Sequence, residues 1–149
     1  ILKGKQFKNL FIKRFFKGFF GEGNDKFVVE TDDGFYLFEL FADCCSESHI
    51  SDVLAIGKGK IEEIEEIPLI EGEHVRKKAS KQEHDECFGL KIKLENKKDE
   101  RFGEISNNVI LSFRNSSNGY YGGKVDFIGK IKDFKKEEYT LVEEPIYFD

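Results

Sequence analysis

The sequence has no Met and no Trp, and only two Pro and three Cys among its 149 residues. Three cysteines, two of them adjacent, make no disulfide framework. That excludes the small stapled secreted scaffolds and points to a reducing, cytoplasmic setting. No apolar run approaches the roughly 20 residues that a membrane span needs, and no signal-peptide pattern opens the chain. Collagen-like and coiled-coil classes lack their compositions and repeats. There is no P-loop, dinucleotide fingerprint, G-x-S-x-G elbow or H-E-x-x-H, so no recognised catalytic constellation is present. The chain opens on Ile1 and holds no Met, which reads as a fragment with residues missing upstream. No repeat or linker divides it, and its length suits one domain over 1–149.

What the chain does hold is phenylalanine, 16 residues of it, and an uneven charge that sums to −5. Lys3, Lys5, Lys8, Lys13, Arg14, Lys17 and Lys26 stand against only Glu22 and Asp25 in the first 26 residues, so the acidity lies in the rest. A net acidic chain is a poor binder of phosphate backbones, which rest on clustered cations, and nucleic acid is not expected as a partner. A protein or a small molecule is expected instead. The basic, Phe-rich stretch Phe7–Phe20 offers surface contact with a membrane as a lesser alternative to core packing with lysines on the wet side.

Phe7, Phe11, Phe15 and Phe19 recur every four residues, a helical stripe, while the aromatic content and the following glycines suit a strand; the strand is preferred. Residues 26–31 and 35–42 read as strands joined at Asp32-Asp33-Gly34, a hairpin signal. Ser46-Glu47-Ser48 followed by Ile50, Val53 and Leu54 predicts a short capped helix ending at Gly57. Ile61 and Ile64 predict a further helical turn before Pro68. Phe88, Leu90, Ile92 and Leu94 alternate with polar residues over 88–95, and 109–114 and 120–128 repeat the pattern. The turn at Asn118-Gly119 predicts that the last two pair as a hairpin. A short strand or extended arm closes the chain over 139–148. The expected class is α+β, an antiparallel-rich sheet of five to seven strands with one or two short helices.

Asp43-Cys44-Cys45 stands out because it lies between an expected strand and an expected helix, where a thiolate is favoured by free N–H groups. His49 is near enough in sequence to serve as a base. The competing reading is that these cysteines pack as small apolar groups. Cys44, Cys45, Cys87, His49, His74 and His84 form no paired ligand motif, so neither a metal nor a cofactor is expected.

Gly4-Lys5, Asp33-Gly34, Asp43-Cys44-Cys45 and Ser117-Asn118-Gly119-Tyr120-Tyr121 occur here in one order. In that order they resemble a family of small uncharacterised domains of bacteria and their phages. Ser46 stands where that family usually has Glu, with Glu47 one place later. The resemblance implies a small antiparallel sheet with helix and a phage or mobile-element origin, and it supplies no substrate. The expected function is a non-enzymatic binding module, an accessory or host-interaction protein, with Asp43, Cys44, Cys45, Asn118, Tyr120 and Tyr121 as binding residues. The alternative is a thiol-dependent enzyme using Cys44 or Cys45 with His49.

Overall fold

A computed structural model of the chain describes residues 1–15, 23–42, 47–70, 73–75, 84–99, 101, 103–105, 107–117 and 123–148. In chain order its strands are β1 (Gln6–Lys13), β2 (Lys26–Thr31), β3 (Gly34–Ala42), β4 (Glu47–Ala55), β5 (Gly59–Pro68) and β6 (His84–Leu94). They continue with β7 (Lys97–Asp99), β8 (Gly103–Ile105), β9 (Asn108–Ser117), β10 (Gly123–Ile131), β11 (Thr140–Val142) and β12 (Ile146–Tyr147). Ten of them form one antiparallel ladder in the order β10-β3-β2-β1-β5-β6-β9-β4-β12, with β11 laid against β1, while β7 and β8 form a separate pair.

The α+β expectation is therefore overturned. Among the described residues there is no α-helix, only a 3₁₀ turn at Lys136–Glu138, and the sheet holds ten strands rather than five to seven. The physical reason recurs at three places. Phe7 pairs with Thr31 and Asn9 with Glu30, so Lys8 is an extra residue in β1. Ile50 pairs with Phe113 and Asp52 with Ser112, so Ser51 is extra in β4. Ile61 pairs with Leu94 and Glu63 with Lys93, so Glu62 is extra in β5. A one-residue bulge converts the strand's i, i+2 spacing into i, i+3. Phe7/Leu10, Ile50/Val53 and Ile61/Ile64 thus face one way across a bulge, and they look helical in the sequence. The same bulge in β1 separates the phenylalanines: Phe7 enters the main core, whereas Phe11 sits in an edge-to-face contact with Phe134 at 4.9 Å on the other face.

β1 and β5 meet only through Gln6–Phe7 and Gly59–Lys60, so the ladder divides into two halves. One holds β1, β2, β3, β10 and β11; the other holds β4, β5, β6, β9 and β12. The halves face each other, as sheets do when each has one apolar face. Phe27 stacks on Phe38 of its own half at 4.7 Å and on Phe113 of the opposite half at 6.0 Å. Leu10, Ile12, Val29, Leu40, Ile50, Ile92 and Leu111 complete the centre of this core. Asp25, itself buried, clamps the layers: its carboxylate accepts the Phe15 N–H at 2.7 Å and the Ile50 N–H at 2.8 Å.

The expected hairpin of 109–114 with 120–128 is also overturned. β9 pairs with β4 and β6, and β10 pairs with β3. The chain crosses from one half to the other after Ser117, just as it does between β3 and β4. Asn-Gly marks a change of direction but does not specify whether the chain returns along the same strand. The hairpin of β2 with β3 is present, closing at Thr31↔Gly34.

Candidate functional site

Of the expected site residues, Asp43, Cys44, Cys45, Asn118, Tyr120 and Tyr121 lie outside the described residues. Their flanks do meet: Ala42 pairs with Gly123, and Glu47 pairs with Ser116. Beneath these positions Asn115 Nδ2 donates to Ser48 Oγ at 2.9 Å, and Ser48 Oγ donates to the Phe41 carbonyl at 3.3 Å. A Cβ at Gly123 would lie 2.0 Å from Ser48 Oγ, so only glycine lets the edge strand come this close.

His49 is half-buried on β4 and pairs with Arg114, which in turn pairs with Cys87 on β6. Residues directly opposite share a face, so the three form a row across the sheet. His49 and Cys87 are nevertheless separated by all of β9, roughly 10 Å at two strand spacings. Opposite His49 in the ladder stands Arg114, while Cys44 and Cys45 lie outside the described residues. The buried Arg114 carried no sequence signal, since it stands in an alternating run where a wet face was expected.

A groove of about 630 Å³ lies where the two halves part. Leu2, Phe38, Ile61, Ile64 and Phe127 supply its apolar wall, and Lys3, Glu62 and Glu63 its polar rim. Bulges build it. The extra residue Glu62 lets Ile61 and Ile64 both turn inward, and Ile128 is the extra residue where β10 pairs Phe127 with Phe38 and Gly129 with Leu37. Bulges often re-aim side chains beside functional sites. Phe127 lies against Phe38 at 5.1 Å and Tyr36 at 6.2 Å, yet keeps 41% of its surface exposed. Nothing in the sequence flagged it, because Phe127 falls in an ordinary-looking strand.

Beside Phe127 sits a polar cluster at the β2–β3 turn. Tyr36 Oη donates to Asp33 Oδ2 at 2.6 Å, Lys5 Nζ donates to Tyr36 Oη at 2.7 Å and also to Asp33, and Lys130 Nζ reaches Asp33 Oδ1 at 3.4 Å. Hydrogen bonds from Lys5, then Tyr36, then Lys130 hold the Asp33 carboxyl well below the usual carboxylate range. The bond to Asp33 likewise raises Lys5 above an ordinary lysine. With both charges satisfied locally, this cluster pins the turn and offers no free acid or base.

A second polar group is enclosed on β4 and β9. Ser51 Oγ donates to Asp52 Oδ2 at 3.0 Å and lies 3.2 Å from Ser112 Oγ. Among the described residues no group of three or more His, Cys, Asp and Glu is arranged to hold a metal ion, and no helix is long and apolar enough to cross a membrane. Compared with known protein families, curated proteins and solved structures, the chain matches none.

Proposed function

We propose that the protein is a non-enzymatic binding module, a phage-type accessory or host-interaction protein, and that the groove between its halves is its binding surface. The observation that carries this reading is Phe127, a large ring aimed along an apolar wall and left 41% exposed. Ligand sites are concavities of several hundred Å³ that combine apolar walls with a few polar groups; the groove has that size, an apolar wall and a charged rim in about equal share. A reducing, cytoplasmic setting goes with this reading, since three cysteines, two of them adjacent, make no disulfide framework.

The test uses a neutral apolar probe, N-phenyl-1-naphthylamine, whose emission rises in apolar surroundings. The wild-type protein is expected to enhance it saturably, and Phe127→Asp and Ile64→Asp to weaken that binding at least tenfold with the β-sheet circular dichroism intact. Enhancement indifferent to both substitutions would overturn the assignment of the groove.

A further inference from the structure

The groove is bordered by an unfinished strand. β6 covers one side of β5 along its length, from Ile61↔Leu94 to Pro68↔Phe88. On the other side, Gln6 and Phe7 of β1 pair with Lys60 and Gly59, and Gly4 and Lys5 bond to Ile61, whose N–H reaches the Lys5 carbonyl at 2.8 Å. Beyond Ile61, no described strand pairs with Glu62–Pro68 on that side. Every second residue of an antiparallel strand turns its N–H and C=O away from a given neighbour, so this edge presents, directly beside the apolar wall, a row of donors and acceptors that no described strand takes.

The two faces of the edge differ in chemistry. Ile64 pairs with the core residue Ile92 and lines the groove, whereas Glu63 and Glu65 pair with Lys93 and Lys91 on the outward face. Glu65 is held by Lys91 at 3.5 Å and Glu62 by Lys93 at 3.8 Å, while Glu63 is in no ion pair among the described residues. A strand added here would place alternate side chains in the groove and on that charged face beside Glu63.

We infer that the free edge of β5 takes an extended segment of a partner protein in which apolar and basic side chains alternate; this rests on the groove being the binding surface. Main-chain bonds to Glu62–Pro68 supply the pairing, apolar side chains enter beside Ile64 and Phe127, and a lysine or arginine meets Glu63. The glutamates that favour such a segment also repel acidic strands and a second copy of this same edge, so one feature serves recognition and exclusion.

The experiment uses a fluorescein-labelled heptapeptide of alternating lysine and valine or phenylalanine, read by fluorescence anisotropy on the full chain. Saturable binding is expected. Methylating one alternate set of peptide nitrogens should weaken it at least tenfold, and methylating the other set should leave it within about threefold. Glu63→Lys should weaken the lysine peptide at least tenfold and improve the matching glutamate peptide. Equal sensitivity to both methylation sets, or indifference to Glu63→Lys, would overturn strand addition. If naphthylamine binds the groove and the peptide does not, strand addition fails and the groove assignment stands; if neither binds, both fail.

Discussion

The β2–β3 hairpin and the β4–β5 stretch are built from similar residues, yet only the first is regular. From Lys26↔Glu39 to Thr31↔Gly34 the hairpin pairs residue for residue without interruption. β4 carries extra residues at Ser51 and at Leu54, since Val53 pairs with Leu111 and Ala55 with Ile110, and β5 carries one at Glu62. The regular hairpin makes core; the bulged strands make the enclosed Ser51–Asp52–Ser112 group and the wall of the groove. Side-chain direction, rather than residue type, separates a strand that only packs from one that walls the groove in this molecule.

The largest effect expected from a single substitution is at the residue both regions share. Phe27→Ala removes ring contacts within its own half and to Phe113 across the core, and should cost about 3–5 kcal/mol of unfolding free energy in urea titration. A loss below about 1 kcal/mol would mean that the two halves do not depend on each other through this ring.

The comparison sharpens at Glu62. Deleting it closes the bulge and leaves Ile61 and Ile64 two residues apart, still opposite Leu94 and Ile92 on one face. Glu62→Ala keeps the bulge and, as a surface change, should stay within about 0.5 kcal/mol of wild type. An alanine inserted between Glu63 and Ile64 instead turns Ile64 and the residues after it to the opposite face, since a one-residue slip flips every side chain. The deletion is expected to hold the urea midpoint near that of Glu62→Ala, and the insertion to lower it well below and to abolish naphthylamine binding. A deletion as damaging as the insertion would remove the bulge from the account.

A smaller effect is expected at the tip of the regular hairpin. Asp33 titrates below the ordinary carboxylate value near 3.9, so whatever it adds to stability is present above that pH and is lost as the pH falls through its own lower value. A carboxyl carbon NMR titration should find Asp33 still ionised at a pH where an ordinary aspartate has protonated. Lys5→Met should raise its midpoint toward the ordinary range.

Legibility in the sequence followed the same division. Asp32-Asp33-Gly34 between two β-rich runs, and the alternation of Phe88, Leu90, Ile92 and Leu94, showed where strands β2, β3 and β6 lie, because unbulged strands keep a period of two. Ile50/Val53 and Ile61/Ile64 read as helix because a bulge imitates helical spacing, and no residue in Ser51 or Glu62 announces one. The crossing from β9 to β10 was illegible for another reason: partner choice is set by packing between the halves, not by the turn. The groove was hidden with it, since Leu2, Phe38, Ile64 and Phe127 come from four separate segments. His49 was recognised as chemically apt, but its neighbour across the ladder is Arg114, a pairing only the register reveals.

The most direct test is the backbone of 47–68. Multidimensional NMR should give extended chemical shifts throughout β4 and β5, with cross-strand contacts linking Ile50 to Phe113 and Asp52 to Ser112, then Ile61 to Leu94 and Glu63 to Lys93. Helical shifts with sequential i, i+3 contacts from Ile50 to Val53 or from Ile61 to Ile64 would contradict the bulged strands and, with them, the groove they build.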